Sequence, residues 1–243
     1  MLFHIFLIKF LKPKTEQLPP AIIFMLLNKF LNPVKNIYEE YRLVSREEGF
    51  AIMKNERGEL FKERIGEGKK VLDLGCRDGA LTEFFVKNNE VLGVEIDERS
   101  LNKAKENLKI NTLSIDLNGD WQELERQKFD VVVAGEILEH LYFPEKVLKK
   151  VKKHLVPGGM FLGSIPNAFS LKNRLRYLRG HKEFTPLSDP THINQFSYHD
   201  FKKILSEQFD EVEIIGLGRY RRLARWCSNW FAFILFFCAK NKK

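Results

Sequence analysis

An α/β fold built on a doubly wound, largely parallel sheet is what this sequence predicts, and three observations carry it. Short β-branched runs alternate with helical stretches of about ten residues, which is the rhythm of βαβ crossovers. The first run, Val71-Leu72-Asp73-Leu74-Gly75, is apolar but for one carboxylate and ends in glycine, as a strand covered on both faces does. The chain has 243 residues, 44% hydrophobic and 30% charged. That fits one globular domain with modest extensions and excludes disorder, collagen-like repeats and coiled coils.

Residues 1–35 read as an apolar, lysine-bearing extension punctuated by Pro13, Pro19, Pro20 and Pro33, and residues 36–243 as one domain. Residues 1–11 are apolar apart from His4 and Lys9. They lack a basic stretch ahead and a small-residue cleavage site behind, which disfavours a secretory leader against a helix packed on the domain or lying on a membrane. Met25 opens a similar stretch and offers an alternative start. The longest apolar runs, 21–27 and 230–239, fall short of the roughly 18 to 20 residues of a spanning helix.

Residues 38–65 predict one or two amphipathic helices. After the first strand, the pattern predicts a helix at 80–88, a strand at 91–96, a helix at 98–108 and a strand at 112–115. A strongly β-branched strand follows at 129–134, then a helix at 144–155 and a strand at 160–165. The end reads as a helix at 201–208 and strands at 211–215 and 232–239, the apolar run 230–239 being taken as a strand in the sheet centre.

The turn after the first strand is Asp73-Leu74-Gly75-Cys76-Arg77-Asp78-Gly79. Glycine permits the sharp bend, and the helix start expected behind it offers N–H donors to an anionic group. Glu95 lies twenty residues beyond Gly75 at the end of the second strand, where a carboxylate can accept from both hydroxyls of a ribose. Gly75 and Gly79 are four apart with Arg77 between, which does not match the GxGxxG of a nicotinamide dinucleotide site. Asp73 would repel a pyrophosphate and suits an ammonium. A nucleoside joined to an amino-acid ammonium describes S-adenosyl-L-methionine.

Residues 71–82, 91–97, 129–141, Pro157-Gly158-Gly159 and the closing strand together resemble the class I S-adenosylmethionine-dependent methyltransferases, over residues 60–243. The resemblance implies a Rossmann-like sheet of seven strands with the last antiparallel. It implies Asp73 and Gly75 near the methionine end, Glu95 on the ribose and Asp116 near the adenine amine, with Cys76, Gly79 and Glu136 completing the cofactor-binding set. Arg77 stands where many members carry glycine.

After the fourth strand comes Gly135-Glu136-Ile137-Leu138-Glu139-His140-Leu141. A helical turn here would place Glu136, Glu139 and His140 on one face, at the sheet edge where ligands of such folds bind. One reading makes His140, Glu139 and His192 the wall or general base of an acceptor pocket. The other makes Glu136, Glu139, His140 and His192 ligands for a divalent metal, and resembles the small-RNA 3′-end 2′-O-methyltransferases. The same strings resemble metal-independent enzymes of the ubiquinone-biosynthesis type, and the expectation taken here is catalysis without metal.

Between the fifth strand and His192 lies an insertion at about 168–192 carrying Lys172, Arg174, Arg176, Arg179 and Lys182 with Tyr177 and Phe184. A second basic run, Arg219, Arg221, Arg222 and Arg225, neighbours Trp226 and Trp230. With 40 Lys+Arg against 32 Asp+Glu the net charge is +8, favouring an anionic partner. Cys76, Cys227 and Cys238 form no CxxC pair, which excludes a disulfide framework and fits a reducing, cytoplasmic setting. The expected function is methyl transfer to a small-molecule or lipid-linked acceptor, with attachment to an anionic membrane surface. RNA methylation and a non-catalytic cofactor-binding domain are the alternatives.

Overall fold

Seven strands hydrogen-bond in the order β3-β2-β1-β4-β5-β7-β6, in a computed structural model that describes residues 48–241 apart from the side chains of Arg221 and Arg225. The expectations for the N-terminal extension, and for a helix in residues 38–47, lie outside the described residues. The strands are β1 (Lys70–Leu74), β2 (Glu90–Glu95), β3 (Asn111–Ser114), β4 (Phe129–Gly135), β5 (Leu155–Pro166), β6 (Glu211–Leu217) and β7 (Ile234–Lys240). All neighbouring pairs among β1 to β5 are parallel, whereas β7 runs antiparallel to both β5 and β6.

Chain order reverses between β1 and β4. The path steps outward through β2 and β3, then returns to build the other half, leaving a crevice outside the carboxyl ends of the strands. Helices α1 (Lys54–Ile65), α2 (Glu98–Leu108), α3 (Pro144–His154), α4 (Leu171–Leu178), α5 (Tyr198–Ser206), α6 (Arg221–Trp226) and α7 (Ser228–Phe231) complete the fold. Local chemistry sets their ends. Asp97 caps α2 by accepting from Arg99 N, and Ser197 caps α5 by accepting from Asp200 N. Pro144 opens α3 at the position where a missing N–H costs nothing.

The central strands are covered on both faces, and β7 is buried from Ile234 through Ala239. Phe237 packs its ring 5.0 Å from Phe161 and 5.1 Å from Phe201, and burying each such ring is worth about 1.5 to 3 kcal/mol. Gly163 of β5 makes the room, since a Cβ there would lie 2.4 Å from the Phe237 ring.

Two expected elements are corrected. Residues 80–88 hold a single tight turn, Thr82–Phe84, in place of a helix. The Thr82 hydroxyl donates to Asp73, and the Asn89 amide donates to the Phe85 and Gly66 carbonyls, so the segment's polar groups are spent on neighbours. Trp230 belongs to α7, and the last strand starts at Ile234.

Candidate active site

Every sequence-predicted site residue except His192 sits at or just beyond the carboxyl end of a parallel strand. Asp73 lies in β1, Glu95 ends β2, Asp116 follows β3, and Gly135-Glu136 lead out of β4. The β1 turn needs its glycines. Gly75 has φ +69, and a Cβ on it would meet the Ile137 side chain at 2.7 Å, so this glycine lets the turn after β4 press onto the turn after β1. Gly79 has φ +86 and faces Leu108. Cys76 is buried with Val91, Leu101 and Ile110, leaving its backbone at the turn and its thiol in the core.

Two non-glycine residues hold left-handed backbone at these turns, Arg77 at φ 53 and Glu136 at φ 59. Such strain gathers at functional sites. The Arg77 guanidinium donates to the Phe50 carbonyl at 2.7 Å and lies 3.8 Å from Asp78.

Asp73 is 4% exposed and accepts from the Thr82 hydroxyl at 2.6 Å. Burial pushes its carboxyl up to about 7; Thr82 opposes that shift and the nearby Glu95 adds to it. A buried carboxylate in this state gains from a cation, and an ammonium supplies one. Glu95, also buried, is fixed by the Ile96 and Asp97 amides on Oε1. Asp116 is exposed, its Oδ1 accepting from the Asn118 amide at 2.9 Å. Glu136 Oε1 is buried with no hydrogen-bond partner among the described residues, which leaves an acceptor to be satisfied by a ligand. This set of acceptors, an acid for an ammonium, an acid after β2 and the buried Oε1 of Glu136, fits S-adenosylmethionine.

On the other side of the switch point, Leu138–His140 form one tight turn. Glu136 stands before that turn, so the expected shared helical face of Glu136, Glu139 and His140 does not form. What does form is a cluster from distant segments. One ligand atom each from Glu139, His140 and His192 lies within 4.8 Å of the others, and the two imidazole rings stand edge to face with centroids 4.8 Å apart. Asn194 binds its segment to the turn, its amide donating to Glu139 O at 2.9 Å and its side chain to Leu141 O.

His140 Nδ1 donates to Thr191 O at 2.9 Å, and His192 Nδ1 donates to Pro186 O at 3.0 Å. With Nδ1–H committed to a carbonyl, a neutral imidazole keeps its lone pair on Nε2. His192 Nε2 lies 3.6 Å from Asp189 Oδ2, and His140 Nε2 lies 3.9 Å from Glu139 Oε1. Burial alone would raise the Asp189 carboxyl, yet the Thr191 hydroxyl and amide, with both histidines, hold it below its usual range. Such a group can accept a proton or bind a divalent cation; Glu136 is outside the cluster, so the alternative four-ligand reading is reduced to three residues.

Sequence reasoning passed over Thr82, Asp189 and Arg57. Arg57 is 1% exposed, donates to Ile52 O at 2.9 Å, and would lie 3.0 Å from a Cβ on Gly135. Nothing in the local sequence separates it from the solvated charges of α1. Thr82 and Asp189 were legible only as partners, once Asp73 and His192 were known.

The sequence profile of the methyltransferase-domain family matches residues 46–210. The chain belongs to the class I S-adenosylmethionine-dependent methyltransferases. Relatives of this methyltransferase include the ubiquinone biosynthesis O-methyltransferase of Coxiella burnetii, 33% identical over 110 residues, or 42% of this chain and 46% of the relative. That of Idiomarina loihiensis is 35% identical over 108 residues, 41% and 43% of the two chains. The match thus spans less than half the length of these relatives. Among solved structures, a SAM-dependent methyltransferase from Archaeoglobus fulgidus superposes with TM-score 0.59 at 20% identity, over 78% of this chain and 93% of the other. The N-methyltransferase NodS of Bradyrhizobium japonicum in complex with S-adenosyl-L-homocysteine gives TM-score 0.53 at 17% identity, over 78% and 87%. The methyltransferase has, among its described residues, no helix long and apolar enough to cross a membrane.

Proposed function

We propose that this methyltransferase acts on a hydroxyl of a small-molecule or lipid-linked acceptor by direct in-line transfer. When bound, S-adenosylmethionine supplies an electrophilic methyl group on a sulfonium. Asp73 holds the ammonium, Glu95 the ribose hydroxyls, Asp116 the adenine amine, and Glu136 with the backbone of Gly75, Cys76 and Gly79 lines the rest. One of the two histidines, with its Nδ1–H tied to a carbonyl, receives the acceptor proton on Nε2, and Glu139 steadies the imidazolium. The observation that carries this reading is the meeting of buried Glu139 and His140 with half-buried His192 beside the switch point. The names of the relatives support the hydroxyl acceptor, and the absence of CxxC spacing among Cys76, Cys227 and Cys238 supports a reducing, cytoplasmic setting.

The experiment is methyl transfer from labelled S-adenosylmethionine to a panel of phenols, polyprenyl phenols, amines and RNA, with and without EDTA. Label in a phenol or polyprenyl phenol, retained under chelation, is the expected result; label in RNA alone overturns the acceptor. A second reading, cation-assisted transfer, is favoured by one observation, the three ligand atoms within 4.8 Å. It predicts loss of turnover under EDTA, restoration by magnesium or manganese, and metal in the purified protein.

A further inference from the structure

We infer that the surface formed by the 168–192 insertion and the α6–α7 pair docks on an anionic membrane, an inference that rests on the lipid-linked reading of the acceptor. Leu178 and Phe184 in the insertion are 83% and 86% exposed, and Trp226 at the end of α6 is 89% exposed. Leu175, Leu223, Trp230 and Phe233 add further exposed apolar surface. Scattered single apolar residues need no explanation, but a run of large ones on adjoining elements marks an interaction face.

Arg174 joins the two elements. From α4 it donates to Phe169 O at 2.6 Å and reaches Asn229 Oδ1 of α7 at 3.4 Å, with its guanidinium 5.0 Å from the Trp230 ring centroid. Asn167, just ahead of the insertion, donates to the Ser228, Asn229 and Ala232 carbonyls. The insertion is therefore tied to α7, the short helix that follows the second basic run. Phe184 stands on left-handed backbone at φ 56, with the Arg176 guanidinium 5.7 Å from its ring and donating to Glu183 O.

Charge complementarity selects the occupant. Lys172, Arg179 and Lys182 are exposed on the insertion, Arg219 just before α6 and Arg222 within it; Glu183 and Asp189 are the acids within the insertion. Aromatic and aliphatic side chains interleaved with cations suit an interface of anionic headgroups over acyl chains. An RNA backbone would use the cations and leave Leu178 and Trp226 in water. A second copy would bring a like basic face against this one. The insertion ends at His192, so a bilayer held here lies beside the acceptor cluster, where a lipid-linked acceptor is presented.

The full chain provides its own reporter. Its three tryptophans are Trp121, Trp226 and Trp230, and Trp121 is buried, so a change of emission on adding vesicles reads this face and not the N-terminal extension. Vesicles of phosphatidylcholine with phosphatidylglycerol should shift the emission to the blue and shield it from an aqueous quencher, whereas phosphatidylcholine alone should not. Leu178→Ser with Phe184→Ser should weaken vesicle affinity on the order of a hundredfold. Lys172→Gln, Arg179→Gln and Lys182→Gln should each weaken it roughly fivefold, and added salt should do the same. All four variants should keep the melting temperature and cofactor affinity of the parent. The proposal is overturned if anionic vesicles leave the emission unchanged, if none of the variants moves the affinity, if RNA gives an equal shift at equal affinity, or if the variants abolish a dimer seen by sedimentation. Methyl transfer to a water-soluble phenol distinguishes the layers: kept, it leaves the proposed function standing when docking fails, and lost in the parent, it removes that function whatever the vesicles show.

Discussion

The two banks of the switch point are built differently. On the β1–β2 bank two carboxylates are fixed by groups close in the chain, Asp73 by Thr82 and Glu95 by the amides of Ile96 and Asp97. On the β4 bank, His140 is fixed by Thr191, 51 positions away, and the turn that carries it is bound to Asn194. The first bank is assembled by the strands themselves. The second exists only when the segment after the insertion docks on the turn after β4. Cofactor affinity and turnover should therefore respond to different substitutions.

The largest effect tests that separation. His140→Ala and His192→Ala should leave S-adenosylmethionine affinity within about threefold of the parent, while the histidine that takes the proton lowers kcat by roughly 10²- to 10⁴-fold. Calorimetry with single-turnover kinetics measures both quantities; cofactor affinity falling together with kcat would show that the banks are one unit. Next in size is Glu95→Ala, which removes the charged acceptor proposed for the ribose hydroxyls, worth about 1.5 to 3 kcal/mol. Affinity should fall roughly ten- to a hundredfold in a protein that still melts cooperatively, and an unchanged dissociation constant would refute the ribose assignment.

How far the sequence could be read follows the same division. The β1 turn, Glu95 and the order of strands were legible because each depends on a short window: an apolar run, a glycine, a carboxylate at a strand end. The 80–88 segment was misread because its helical pattern says nothing of Thr82 donating to Asp73, a contact made only in the folded turn. At Glu136 the spacing to Glu139 and His140 was real, but left-handed backbone at Glu136 turned the string out of a helix. His192 was suspected from its residue type; that its Nδ1 faces the Pro186 carbonyl and that Asp189 stands beside its Nε2 depend on how the insertion closes. The short helices α6 and α7 left no helical period long enough to recognise.

A smaller effect should appear in the pH dependence of the β1–β2 bank. The Asp73 carboxyl, ordinarily near 3.8, keeps its proton in the cofactor-free fold until about 7. Between those values the fold binds a proton that the unfolded chain has lost, so stability falls as pH rises through this window and levels off above it. An ammonium favours the ionised form, so cofactor binding releases that proton. Affinity should rise about tenfold from pH 6 to 8, and Asp73→Asn should flatten the profile while weakening binding. An equal slope in Asp73→Asn would assign the proton elsewhere.

The smallest expected effect is the most direct challenge to the idea that the β1 bank is self-contained. Arg77 holds φ 53 where glycine is at ease, and left-handed backbone costs an L-residue roughly 1 to 2 kcal/mol. Arg77→Gly removes that cost. It also removes the bond to Phe50 O, worth about 0.5 to 1.5 kcal/mol, and gives the unfolded chain the extra freedom of glycine, about 0.5 to 1 kcal/mol. The terms nearly cancel, so the melting temperature should move by no more than about 4 °C and cofactor affinity by less than about threefold. If the variant instead melts much earlier and loses affinity together, the tie to Phe50 holds the turn in place, and the β1 bank depends on the segment ahead of α1 as the β4 bank depends on Asn194.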